Sequence, residues 1–148
     1  MDLKNIKMKR KTKFEPKLKT IADKLWQLCR QIIFLTHGTD CYTCPQKKLT
    51  GRNLQCGHGY PAGALGVSMQ YNLDILRPQC FQCNINYAGM QIVFWKNLEI
   101  EYGKEKADKL YEECQASKGK PIKARPHILA LTEEYRQLLE KYKNEKFD

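Results

Sequence analysis

Residues 41–44 read Cys41-Tyr-Thr-Cys44, and residues 79–84 read Gln79-Cys80-Phe-Gln-Cys83-Asn84. Each CxxC places two thiolates on one tight turn, and two such turns complete a tetrahedron of sulfur around Zn²⁺ at about 2.3 Å. Four thiolates leave no open coordination position, so this zinc is expected to be structural. The chain has seven cysteines, an odd number that fits poorly with a fully paired disulfide framework. Cys29, Cys56 and Cys114 have no partner at ligand spacing, and Cys29 and Cys114 fall on helix faces as packing residues.

Thirty-five residues separate Cys44 from Cys80, too many for a simple ribbon finger. The insertion is therefore where chemistry could reside. Residues 39–83 are rich in glycine and proline and show no helical period, which predicts short strands and loops organised by metal. A structural zinc contributes on the order of 10 kcal/mol of folding free energy in model peptides, which suits a segment with few large apolar side chains.

Helices flank this segment. Leu18, Ile21, Leu25, Leu28, Ile32 and Leu35 recur at three- and four-residue spacing, predicting one amphipathic helix over 17–37 that stops at His37-Gly38. A second helix is expected from about Asn86 to Tyr102, with Ile92, Trp95, Leu98 and Tyr102 on one face and Gly103 as its stop. A third spans Lys104 to Ser117 with Ala107, Leu110, Tyr111 and Cys114 inward. In the linker KGKPIKARP, Pro121 and Pro126 argue against a continuous helix. The last helix is expected from about Ile128 to Lys146, with Ile128, Leu131, Tyr135, Leu138, Leu139 and Tyr142 as its stripe. The chain thus divides into a basic arm (1–16), an N-terminal helix (17–37), a zinc-knuckle domain (38–118), and a basic linker with the C-terminal helix (119–148).

The formal charge is +10, and residues 1–19 hold eight Lys/Arg against Asp2 and Glu15. A basic arm on a chain of pI near 9.3 suits a polyanion such as DNA or RNA. Lys9, Arg10, Lys11 and Lys13 in the arm, and Lys118, Lys120, Lys123 and Arg125 in the linker, are the candidate phosphate contacts. No run approaches the length of a membrane span and no apolar signal core follows the basic N-terminus, so a soluble, cytoplasmic protein is expected.

One ordered constellation is more specific than any of these. Cys41-Tyr-Thr-Cys44 is followed by Gly57-His58-Gly59-Tyr60, then Tyr71-Asn72, then Gln79-Cys80-Phe-Gln-Cys83-Asn84, with Gly89 and Tyr102-Gly103 beyond. Over about residues 38–115 this resembles the HNH endonucleases, and more narrowly the NinG/Rap family of lambdoid phage recombination proteins. It shares the two-knuckle plan of phage endonuclease VII. The resemblance implies an α+β fold: a zinc-organised ββα-metal domain flanked by helices. It further implies a metal-dependent endonuclease for branched DNA (Holliday junctions, D-loops or flaps), working as a homodimer, in the host cytoplasm if phage-encoded. Rival readings are a non-catalytic zinc adaptor and a site-specific nicking enzyme.

The resemblance also implies roles. His58 is the general base, suited by an ordinary pKa near working pH. Asn84, from the helix after the second knuckle, helps hold Mg²⁺ on the scissile phosphate, and Asn72 tethers its loop. The chain departs from the family pattern at Gln55, where an acidic residue is usual, and at Ile75, where asparagine is usual. Asp74 is the nearest acid and a candidate replacement Mg²⁺ ligand. With so few anionic ligands the ion is expected to bind weakly, so that millimolar Mg²⁺ or Mn²⁺ is needed.

Overall fold

The computed structural model describes residues 14–147. Its elements are α1 (Leu18–His37), β1 (Gln55–His58), α2 (Val67–Gln70), β2 (Leu76–Gln79), α3 (Gln91–Tyr102), α4 (Lys104–Ser117) and α5 (Ala124–Phe147). The fold is α+β, helix-rich around one two-stranded antiparallel sheet. Gln55 pairs with Gln79, Cys56 with Pro78, Gly57 with Arg77 and His58 with Leu76. Among the described residues no helix is long and apolar enough to cross a membrane.

The apolar stripe of α1 lies against α5, and Ile21, Leu25, Cys29, Ile32 and Ile33 form one core with Cys56, Leu76, Ile128, Tyr135 and Leu139. Cys29 and Ile33, outside the expected stripe, are buried, whereas Leu18 at the helix entrance is exposed. Gly38 ends α1 at φ 79°, a left-handed conformation that glycine adopts without steric cost. The α5 stripe is covered by α1 within the same chain, so it is not free to serve as the interface of a homodimer.

Three expectations are corrected here. Helix α5 begins at Ala124, a turn earlier than expected, because Pro126 is its third residue, where the missing N–H would be unpaired anyway. Helix α3 begins at Gln91 rather than Asn86, since a π-helical turn (Gln82–Asn86) and a left-handed break intervene. Gly89, expected inside a helix, lies in that break at φ 85°. On its expected inward face Leu98 is buried and Trp95 and Tyr102 pack against the core, joined by the buried Phe94, whereas Ile92, one residue into the helix, is 76% exposed. Helix α4 has the expected bounds, with Ala107, Leu110 and Cys114 buried, but Tyr111, expected inward, is exposed at the edge, where its ring meets Tyr60 and Trp95. Ile75 is fully buried beside Met69, Leu110 and Cys114, so an apolar side chain suits this position.

A buried arginine fastens the sheet to α3. Arg77 on β2 donates to Glu101 Oε1 at 2.7 Å and Oε2 at 3.3 Å, to Leu76 O at 2.7 Å, to Leu73 O at 3.2 Å, and to the Tyr102 hydroxyl. Its guanidinium also lies 5.5 Å from the Tyr42 and Tyr102 ring centres. Burial pushes the Glu101 carboxyl pKa up, but its bonds to Arg77 and Tyr42 outweigh this and hold it below the ordinary value. The pair's stabilisation is therefore present above the usual carboxylate range and is lost as pH falls through the depressed value. Arg77→Met should cost about 1–3 kcal/mol in urea unfolding, because it leaves the Leu73 and Leu76 carbonyls without their buried donor. A loss below 1 kcal/mol would show that the network contributes little.

Candidate functional site

The four knuckle sulfurs lie within 4.8 Å of one another, and Cys44 Sγ is 3.7 Å from Cys80 Sγ. A tetrahedral ion with Zn–S of 2.3 Å needs S···S distances of about 3.8 Å, so this donor set could hold a zinc ion. Two backbone amides point at sulfur: Cys80 N–H at Cys41 Sγ (3.3 Å) and Cys83 N–H at Cys80 Sγ (3.4 Å). Such donors suit thiolates that carry negative charge. Cys29, Cys56 and Cys114 are buried away from this cluster. Burial pushes the Cys29 thiol up to about 12 and the Cys114 thiol up to about 11, so both stay protonated packing groups.

Beside the knuckles opens a cleft of about 770 Å³. His58 from β1, Gln55 from β1 and Asn84 from the π-helical turn all line it, together with Arg30 and Arg52. Among the described residues its lining contains no Asp or Glu. The Gly-His-Gly sequence has a steric reason. A Cβ at Gly57 would lie 1.7 Å from Gln79 Oε1, and one at Gly59 would lie 3.0 Å from the Phe94 ring. Gln79 holds its place by donating to Thr43 Oγ1 and to Gly89 O, both at 2.9 Å. The first knuckle, the sheet and the turn after the second knuckle are thereby locked together.

His58 Nε2 lies 2.9 Å from the Gln70 carbonyl oxygen. A carbonyl can only accept, so Nε2 carries the hydrogen and Nδ1 keeps a free lone pair. The ring stacks on Trp26 of α1 at 5.0 Å and 6°. Burial lowers the His58 pKa below the ordinary value, partly opposed by the Gln70 bond, so the buried site favours the neutral imidazole.

Gln55 uses both ends of its amide. Nε2 donates to Arg52 O at 3.1 Å, and Oε1 accepts from Asn84 Nδ2 at 2.7 Å. With its nitrogen so engaged, Asn84 keeps Oδ1 for a further partner. The turn that follows is strained: Ala88 (φ 51°), Gly89 (φ 85°) and Met90 (φ 51°) are all left-handed, unusual for the two non-glycines. Gly89 N–H to Cys83 O at 2.8 Å and Gln91 Nε2 to His58 O at 3.2 Å hold it.

Other expected residues lie elsewhere. Asn72 accepts from Asp74 N–H at 2.9 Å, tying its own loop, and does not line the cleft. Asp74 is not brought to the cleft either: its carboxylate lies 4.0 Å from Lys106 on α4. Lys118, Lys120 and Lys123 are exposed around the end of α4, and the Arg125 guanidinium donates to Pro16 O at 2.8 Å. None of the four lines the cleft. Lys9, Arg10, Lys11 and Lys13 lie outside the described residues. The sequence reading missed Trp26, Arg30, Arg52 and Gln91. Trp26 and Arg30 carried a signal, being four apart on α1 and off its apolar stripe.

For a Mg²⁺ or Mn²⁺ ion the cleft offers Asn84 Oδ1 and an imidazole nitrogen but no carboxylate. That set fits a hard cation only where water and a substrate phosphate complete its shell. Comparison with protein-family models, curated proteins and solved structures finds no match.

Proposed function

We propose that the chain is a metal-dependent endonuclease of the ββα-metal (HNH) type that cuts branched DNA, with the knuckle cysteines holding one structural zinc. The observation that carries this reading is the cleft itself: a histidine with a defined free nitrogen, an asparagine with a free oxygen, and two arginines in a lining that, among the described residues, holds no carboxylate. Arg30 and Arg52 bind backbone phosphates, supplying positive charge where it accumulates on phosphorus. His58 Nδ1 takes a proton from a water as its oxygen bonds to phosphorus. The phosphorus–oxygen bond to the departing nucleotide breaks, and the departing oxygen is reprotonated from solvent. A divalent ion at Asn84, when bound, supplies Lewis-acid stabilisation of that oxygen. Gln55 orients Asn84 and supports the Arg52 turn. Symmetric cutting of a four-way junction calls for two such sites, hence a homodimer, formed through a face other than the α5 stripe.

The absence of a carboxylate from the cleft also favours a rival, a zinc-organised DNA-binding adaptor without activity. A metal titration separates the two. Wild type should cleave a labelled four-way junction only at millimolar Mg²⁺ or Mn²⁺. Gln55→Glu adds a carboxylate next to Asn84 and should lower the metal concentration for half-maximal cleavage about tenfold, since each carboxylate weighs heavily when protein ligands are few. Junction binding without cleavage by either protein, in either metal, would establish the adaptor.

A further inference from the structure

Phe81 (43% exposed), just before the π-helical turn, and Ile85 (54% exposed), within it, are two large apolar side chains left exposed at the cleft. Neither belongs to a core cluster. Phe81 sits beside the basic edge: its N–H donates to Asn53 Oδ1 at 3.0 Å, and Asn53 follows Arg52 in the same tight turn. Arg30 lines the same cleft. Exposed apolar area beside two lining arginines suits a partner that is anionic and flat-faced at once.

Nucleic acid with unpaired bases meets both demands. Its phosphates suit Arg30 and Arg52, and an unstacked base presents a π-face that an aromatic ring can cover. Apolar wedges of phenylalanine and isoleucine type open base steps in other DNA complexes. A fully paired duplex offers no free face.

Resting on the nuclease reading, we infer that Phe81 and Ile85 form a wedge that receives unstacked nucleobases at a branch point, making them the residues that select branched over linear DNA. The zinc knuckle is what makes such a wedge rigid, since Phe81 lies between ligands Cys80 and Cys83.

The test reads binding, without added Mg²⁺, by fluorescence anisotropy of the full chain. Three probes are compared: a linear duplex, a four-way junction paired to its centre, and the same junction with two unpaired nucleotides at the centre. Prior unpairing removes the cost of unstacking, so wild type should bind the third probe tightest and the duplex weakest. Phe81→Ala and Ile85→Ser should each reduce the preference for the unpaired junction over duplex about tenfold, the size of one lost stacking contact. Duplex affinity should hold, because Arg30 and Arg52 remain. Zinc content confirms the knuckle in Phe81→Ala, and Ile85→Ser, outside the ligand loop, carries the test should that variant lose metal. Unchanged preference in Ile85→Ser together with a zinc-loaded Phe81→Ala overturns the wedge. So does a change in oligomeric state as the sole effect, which would make the patch a contact between copies. Failure of the nuclease reading shows differently, as branch preference intact without cleavage.

Discussion

Cys80→Ser is expected to abolish the folded state of the segment around the cleft, not merely to weaken it. Cys80 Sγ is fully buried, lies 3.7 Å from Cys44 Sγ, and accepts from the Cys83 amide. The cluster around it contains little besides the cysteines, Leu49, Leu54 and Met90. A structural zinc contributes on the order of 10 kcal/mol, comparable to the whole stability of a small domain. The turn at Ala88–Met90 also hangs from Cys83 O, so the strained backbone beside His58 should relax once the knuckle opens. Elemental analysis of wild type should give one zinc per chain, and a strong chelator should erase the near-ultraviolet dichroism. Stable, zinc-free wild type would refute the assignment.

His58→Ala is expected to reduce single-turnover cleavage by 10²- to 10⁴-fold, as removal of a general base typically does. Zinc content and junction binding should stay near wild type, since the knuckles and arginines are separate groups. The pH dependence carries a further sign. His58 must be neutral to accept a proton, and burial lowers its pKa below the ordinary 6.5. The acid limb of the wild-type rate should therefore lie below pH 6.5, with the base fully available at neutrality. Full activity in His58→Ala would remove it from the mechanism, and an acid limb well above 6.5 would contradict its buried, neutral state.

The residues whose role is set by local spacing were legible in the sequence. The CxxC pairs announce a four-sulfur cluster because tetrahedral ligation demands two tight turns, and the structure brings those sulfurs together. Helix α4 was legible to its ends because Gly103 fixes its start and its apolar spacing is regular. The start of α3 was not. The π-helical turn and the left-handed residues Ala88 to Met90 are held by bonds to Cys83 O and from Gln79, contacts that no local pattern encodes. Gln55 is the clearest case at the site. Read along the chain it is a missing acid, whereas in space it is a two-ended tether between Arg52 and Asn84. Asp74 looked available because it is near in sequence, yet its loop turns it toward Lys106. Arg77 gave no warning of burial, because its partners Glu101 and Tyr102 come from a helix more than twenty residues away.

The most direct test of the account is cleavage of one end-labelled four-way junction, set beside a linear duplex of the same sequence, by zinc-loaded wild type at pH 7. With Mg²⁺ present, a branch-selective nuclease should make discrete cuts near the branch point of the junction, none on the duplex, and none on either DNA when Mg²⁺ is omitted. Equal cutting of duplex and junction, or binding with no cutting in Mg²⁺ or Mn²⁺, would contradict it.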